Sequence, residues 1–161
     1  MADILEITIK KDEDTQVLLG HAGFIKTAED LYEAMVNSVP KARFGIAFAE
    51  ASGPCLIRIE GNDPELKKSA EENLKRVNAG HTFIILFKEA YPINVLPAIK
   101  DVREVTRVYC ATANPLTVLV AMTSQGGSVI GVVDGSAPKG VESDEDILMR
   151  RKLLRDFGYK K

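Results

Sequence analysis

The sequence has few of the features that mark several common protein classes. Its two cysteines and two histidines, among 161 residues, show neither C-x-x-C nor H-x-x-x-H spacing, so no structural zinc site is predicted. No apolar run approaches the roughly 18 residues of a membrane span, and the first residues lack the basic-then-apolar order of a signal peptide. The formal charge of -2 gives no basic field for nucleic acid. We expect a cytoplasmic protein whose partners are neither nucleic acids nor membranes.

The two cysteines are expected to be inert thiols of the core. Cys55 and Cys110 each lie in an apolar, strand-like stretch, and a buried free cysteine packs as a small hydrophobic residue. A disulfide between them is disfavoured because cytosolic disulfides are uncommon.

The motifs of nucleoside triphosphate sites and of common hydrolases are also missing. Gly135–Gly140 begins with the glycine spacing of a P-loop, but Val141 stands where lysine is required. Neither G-x-G-x-x-G nor G-x-S-x-G occurs. A conventional triphosphate site, a Rossmann fingerprint and a nucleophile-elbow hydrolase are therefore disfavoured.

What is present is the composition of an ordinary globular protein, with 45% apolar and 27% charged residues. The length suits one domain with a sizeable core, over residues 1–161. Apolar runs and alternation predict eight strands. These strands are Ile4–Ile9, Gln16–Gly20, Phe44–Ala49, Leu56–Ile59, Thr82–Phe87, Arg107–Ala111, Leu116–Met122 and Val129–Asp134.

Local signals predict four helices and their ends. Thr27–Asp30 has the form of a capping box, and Asp63-Pro64-Glu65 is a strong helix start. Gly80 is placed to end that second helix in a left-handed conformation. The first helix runs from Thr27 to about Ser38, and the second from Pro64 towards Gly80. The third is a short helix that ends at about Asp101, and the fourth runs from about Ser143 to Phe157. The order ββαββαβαβββα predicts an α+β fold in which a mixed β-sheet is covered by about four helices.

His81 is the first candidate for chemistry. It follows Asn78-Ala79-Gly80 and precedes the apolar run Thr82–Phe87, so it stands at the start of a buried strand beside a turn. Histidine can serve there as a general base, a nucleophile or a hydrogen-bond donor. The alternative is that its ring caps carbonyls at the end of the preceding helix. His21 reads as a loop residue and is not chosen.

Two carboxylates close apolar strands just before glycine turns. Glu50 precedes Ser52-Gly53, and Asp134 precedes Gly135. Such a carboxylate can act as a base or accept a hydrogen bond from a ribose hydroxyl. A carboxylate is also common at the end of a strand simply because the chain there reaches solvent. Both alternatives stay open at this point, and Ser52 is included as a neighbour of Glu50.

Several further polar residues complete the set of candidates. Asn62, Asp63 and Asn114 suit turns and caps, although their donors and acceptors could also read a base or a sugar. Lys26 directly precedes a predicted helix, where an anion would be favoured, or it is an ordinary solvated lysine. Asn94 is carried as one more candidate.

Taken together, the motifs resemble one family more closely than any of them does alone. The chain is similar to the adenosine-specific kinases, small proteins mainly of archaea and thermophilic bacteria, over about Phe24 to Tyr159. The segments that carry this resemblance are Phe24–Thr27, Phe44–Pro54, Gly61–Leu66, Ala79–His81, Cys110–Pro115 and Gly131–Gly135.

The resemblance implies an oligomeric protein that binds adenosine or AMP in preference to ADP or ATP, which agrees with the missing P-loop. His81 matches the family's Ala-Gly-His motif, so the resemblance suggests a phosphohistidine intermediate. Glu50 or Asp134 would hold the ribose, and Lys26 or a metal ion would offset charge. The cofactor is open, with Mg²⁺ as the candidate if the protein is catalytic. The alternative is a sensor or carrier of adenosine and AMP without turnover.

Overall fold

The part of the chain that the structure describes forms eight strands and four helices, in the order that the sequence predicts. The computed structural model describes residues 2–161. The strands are β1 (Asp3–Thr8), β2 (Gln16–Ala22), β3 (Arg43–Ala49), β4 (Ile57–Gly61), β5 (Thr82–Lys88), β6 (Val105–Thr112), β7 (Leu116–Met122) and β8 (Gly127–Asp134). The helices are α1 (Thr27–Ser38), α2 (Pro64–Val77), α3 (Pro92–Asp101) and α4 (Asp144–Asp156).

The strands divide between two sheets. The larger sheet has the order β4-β3-β5-β2-β6, and the smaller one has the order β1-β7-β8. Every named strand pair is antiparallel. The α+β class with four helices is confirmed, and the single mixed sheet of the prediction is resolved into two antiparallel sheets. Within residues 2–161, no helix is both long and apolar enough to cross a membrane.

Both faces of the larger sheet are covered. Successive side chains of a strand point to opposite faces, and all residues of β5 from Thr82 to Phe87 are buried. One face packs against α2 and the smaller sheet, through residues such as Leu19, Leu74 and Val118. The other face packs against α1 and α3, through residues such as Leu31, Phe44 and Val95. The central strand is therefore apolar on both sides, as its unbroken apolar run predicts.

Close packing of α2 on β3 depends on a glycine. A Cβ at Gly45 would lie 2.2 Å from the backbone carbon of Leu66 and from the backbone nitrogen of Lys67. The first turn of α2 thus rests directly on the backbone of β3. Asp63 begins this helix as predicted, because its side chain accepts a hydrogen bond of 2.9 Å from the Leu66 amide.

Two predictions about helix ends are wrong. Thr27 does not form a capping box, because it is the first residue of α1, the N-cap position is Lys26 without a side-chain cap, and the Thr27 hydroxyl is buried without a partner. Gly80 does not end α2, since Asn78 takes the left-handed conformation with φ of 50°. Asparagine tolerates that region better than most residues. Gly80 is needed for space, as a Cβ there would lie 2.9 Å from the Ala51 Cβ.

The prediction for the cysteines is half right. Cys110 is buried on β6, and burial, reinforced by the Asp134 carboxylate, raises the pKa of its thiol to about 12. Cys55 is exposed and has a φ of 52°, so it is not a core residue. It lies in the turn before β4, which begins only at Ile57, because Gly53-Pro54 directs the chain into a turn.

Candidate functional site

His81 lies at one end of the larger sheet, where β3 and β2 end and β5 begins. Its amide donates a hydrogen bond of 2.7 Å to the Ala49 carbonyl, and its carbonyl accepts one of 2.9 Å from the Ala22 amide. The backbone of His81 has a φ of 59°, which is uncommon outside glycine and is concentrated at functional sites. The predicted position at the start of a buried strand is confirmed.

Two rings surround the imidazole of His81. The ring of Phe48 is nearly parallel to it, with an interplanar angle of 12° and 6.2 Å between centroids. The ring of His21 meets it edge to face, with 5.7 Å between centroids and an angle of 79°. The two histidines of this chain are therefore neighbours, although 60 residues separate them in sequence. No local sequence pattern predicts this contact, because it depends on the pairing of β2 with β5.

His21 is held by a threonine of β6. Its Nδ1 lies 2.6 Å from Oγ1 of Thr106, and the Thr106 hydroxyl donates a hydrogen bond of 3.1 Å to the His21 carbonyl. Burial lowers the pKa of His21, and the nearby His81 and Arg107 lower it further. The prediction of a loop residue is wrong, because β2 continues to Ala22.

Glu50 follows β3 at the same end of the sheet. Its Oε2 accepts a hydrogen bond of 2.7 Å from Arg58 and one of 3.3 Å from the Leu56 amide. Only 13% of the Glu50 side chain is exposed, so this carboxylate is held in place and has a second oxygen. Ser52 is exposed in the loop between β3 and β4.

Lys26 lies at the β2–β6 side of this end. Its ammonium group pairs with Asp30 and lies 2.7 Å from Oε1 of Glu104. Hydrogen bonds to Asp30 and then Glu104 raise the pKa of Lys26. The lysine is half exposed, and its charge is already partly balanced by two carboxylates.

A cleft of about 700 Å³ opens beside Glu50. Its walls come from the β3–β4 loop, the end of α2 and the turn between β7 and β8. The lining includes Glu50, Ile57, Asn78, Gly80 and Gln125. Because Gly80 lines this cleft, His81 lies one residue beyond its border. The volume falls in the range of small-molecule sites.

Other predicted residues lie at the opposite end of the sheet. Asp63 accepts a hydrogen bond of 2.8 Å from Arg43, at the start of β3, whereas His81 contacts Ala49 at its end. Six residue steps along a strand correspond to about 20 Å. Asn62 binds the Phe44 amide and the Ala42 carbonyl, so its polar atoms serve the protein itself.

The remaining three candidates also have internal partners. Asn94 accepts a hydrogen bond of 2.9 Å from the Tyr91 amide at the start of α3. Asp134 accepts hydrogen bonds of 2.7 Å from Thr112 and 3.0 Å from Asn114. Asn114 and Asp134 lie where β6 and β8 end, away from the start of β6 that contacts His21. Their proposed role in binding substrate stays a prediction.

The structure therefore places four of the predicted residues, namely Lys26, Glu50, Ser52 and His81, at the same end of the larger sheet, with Lys26 outside the cleft beside Glu50. Sequence reasoning rejected His21 and missed Thr106 and Arg58. Only long-range strand pairing reveals them, since each belongs to a strand with an ordinary local pattern. Within residues 2–161, no group of three or more histidine, cysteine or acidic side chains is placed to hold a metal ion.

Comparison with known proteins agrees with this fold and extends over the whole chain. The crystal structure of PH1918 protein from Pyrococcus horikoshii OT3 is 47% identical in sequence, with a TM-score of 0.96, and the match covers 100% of this chain and 99% of that one. Anthranilate synthase component 1 of Leptospira biflexa is 31% identical over 103 residues. That match covers 56% of this chain, which spans only 22% of the length of this curated relative.

A family model described as adenosine-specific kinase matches residues 7–160. This range includes His21, Glu50 and His81 together with the strands β2, β3, β5 and β6 that adjoin them. The chain therefore belongs to the adenosine-specific kinase family.

Proposed function

We propose that this protein binds adenosine and AMP at the end of the larger sheet that carries His81, and transfers a phosphoryl group through that histidine. The observation that supports this most directly is His81 itself, a residue with positive φ whose ring lies between Phe48 and a second histidine. Family membership supports adenosine as the acceptor.

The cleft beside Glu50 is the proposed nucleoside site. The free oxygen of Glu50 would accept a ribose hydroxyl, while Arg58 keeps the carboxylate oriented. Ser52 supplies a hydroxyl at the rim, and Lys26, or Mg²⁺ bound with the substrate, would offset phosphate charge. The candidates at the opposite end, namely Asn62, Asp63, Asn94, Asn114 and Asp134, would reach this site only from a neighbouring copy of the chain.

The proposed transfer needs no third reactant when AMP itself is the donor. A nitrogen of His81 attacks phosphorus, the P–O5′ bond of AMP breaks, and O5′ takes a proton and leaves as adenosine. The reverse step forms AMP from the phosphohistidine. Labelled adenosine should therefore exchange into AMP on the purified protein, which is the signature of a covalent intermediate.

His81→Asn is the variant that tests the role of the histidine. Asparagine tolerates positive φ, so the backbone at this position is preserved while the nucleophile is lost. We expect the exchange of labelled adenosine into AMP to fall to background, with adenosine still binding in calorimetric titration. Glu89→Asn is the matched control, because Glu89 has a φ of 60° and is exposed just past the other end of β5.

The outcomes separate the alternatives. Exchange at the wild-type rate in His81→Asn would remove His81 from the mechanism. Binding of adenosine and AMP without exchange, with AMP or with a panel of other phosphoryl donors, would identify the protein as a sensor or carrier. No heat with adenosine or AMP would reject the nucleoside site as well.

A further inference from the structure

Oγ1 of Thr106 contacts both the ring and the carbonyl of His21, so the direction of its hydroxyl controls which ring nitrogen carries a proton. A hydroxyl group has one proton to donate, and Thr106 directs it to the His21 carbonyl at 3.1 Å. Oγ1 of Thr106 must then accept the hydrogen bond of 2.6 Å from Nδ1 of His21. With the Thr106 hydroxyl donating to the carbonyl, neutral His21 is protonated at Nδ1, and its Nε2 presents an unshared electron pair.

The ring of His21 is in edge contact with the ring of His81, at 5.7 Å between centroids. A phosphoryl group bonded to His81 would be within reach of the neighbouring imidazole. The charged and titratable groups that face His21 are His81, from the start of β5, and Arg107, from β6; together with burial they lower the pKa of His21. At neutral pH the ring is thus in the form that accepts a proton.

We propose that His21 is the general base of phosphoryl transfer at His81, with Nε2 taking the proton of the attacking hydroxyl. This inference rests on the proposed function. The N–P bond at His81 breaks, and its electron pair returns to the ring nitrogen. The 5′-oxygen of adenosine bonds to phosphorus, and its proton goes to Nε2 of His21. When AMP is the donor, the protonated Nε2 returns that proton to O5′.

The tautomer can be measured without any activity. The chain has only two histidines, so long-range ¹H–¹⁵N spectra of the imidazoles contain two ring systems, and a His21→Gln variant assigns them. We expect His21 to be protonated at Nδ1 near pH 7, and Thr106→Val to introduce the Nε2-protonated form. Thr106→Ser, which keeps the hydroxyl, should restore the wild-type spectrum. Protonation at Nε2 in the wild type would overturn the proposal.

The catalytic role is tested by the exchange of labelled adenosine into AMP. We expect His21→Gln to reduce the exchange rate by about 10²- to 10⁴-fold, the usual contribution of a general base, with adenosine affinity unchanged. The wild-type rate of AMP formation should fall as pH drops through the lowered pKa of His21, and the His21→Gln profile should lack that step. Thr106→Val should reduce exchange while His21 is still present.

Thr8→Val is the control, because it removes an exposed strand threonine from the other sheet. If His21→Gln exchanges at the wild-type rate, His21 is not the base, although the proposed function stands. If the wild type shows no exchange, the proposed function fails and this inference fails with it.

Discussion

Single residues in this protein are constrained by the backbone as much as by their side chains. Among residues 2–161, four residues other than glycine have positive φ, and they are Cys55, Asn78, His81 and Glu89. Such conformations cost about 1–3 kcal/mol each and persist where the surroundings hold them. Hydrogen bonds to Ala49 and Ala22 hold the backbone of His81, and this fixes the backbone position from which the imidazole projects. The strain therefore coincides with the residue that we propose as the nucleophile.

Gly45 is the residue whose substitution should disturb the fold most directly. A Cβ at this position would overlap the backbone of α2 at 2.2 Å, and neither β3 nor the helix can yield without losing core contacts. We expect Gly45→Ala to lower the free energy of unfolding by about 3 kcal/mol, at the upper end of ordinary overpacking, as measured by urea denaturation. Gly131→Ala, with no atom within 4 Å of the added Cβ, should change stability little. Equal stability of the two variants would refute this reading of the β3–α2 contact.

Among the elements, α2 is the one whose start is best defined. Pro64 occupies the first turn, and Asp63 caps the Leu66 amide while binding Arg43. The hydrogen bond from the Leu66 amide, followed by Arg43, lowers the pKa of Asp63. A carboxyl group with a lowered folded-state pKa stabilises the protein above its unfolded pKa, and that stabilisation is lost as pH falls through the folded value.

Asp63→Ala should therefore destabilise the protein in a pH-dependent way. We expect a loss of about 1–2 kcal/mol at pH 7, the usual effect of removing a helix cap, and a smaller difference from wild type below about pH 4, measured by thermal unfolding across that range. Asp63→Asn should keep most of the stability because asparagine caps as well as aspartate. Asp3→Ala, at an exposed site on β1, serves as the control. A pH-independent difference would show that the charge of Asp63 has no role.

At the scale of the whole molecule, residues 2–161 form two apolar cores that share the larger sheet, and α4 belongs to neither. None of the residues of α4 is buried, and the exposed apolar residues in and just after it are Leu148, Met149, Leu153 and Phe157. The homo-oligomer expected from the sequence stays a prediction, and α4 is where we expect copies of the chain to meet.

Substituting Leu148 and Leu153 together by serine should weaken self-association without unfolding the domain. The two cores do not include α4, so circular dichroism should show the wild-type fold. Light scattering after size exclusion should show a lower mass than that of wild type. Arg151→Ser, an exposed change on the same helix, should leave the mass unchanged. A monomeric wild type, or an unchanged mass in the double variant, would contradict this assignment.

Local patterns were sufficient for much of the fold, and at the site they were not. The element order, the Asp63 cap and the position of His81 follow from residues within a few positions of each other, where hydrogen bonds and apolar periodicity are local. The prediction for Thr27 was wrong because this residue, although suited to capping, is buried as the first residue of α1. The prediction that Cys55 is a core thiol was wrong because the apolar stretch that contains it begins with a turn, and β4 starts only at Ile57.

By itself, the sequence determined the α+β class, the order of the elements, the missing triphosphate loop and the family resemblance. Only the tertiary structure decided which strand ends meet. It placed His21 and Thr106 beside His81, kept Glu50 at that end, and put Asn62, Asp63 and Asp134 elsewhere. The physical reason is that antiparallel pairing of β2 with β5 and β6 joins residues 60 or more positions apart, and no local pattern specifies that register.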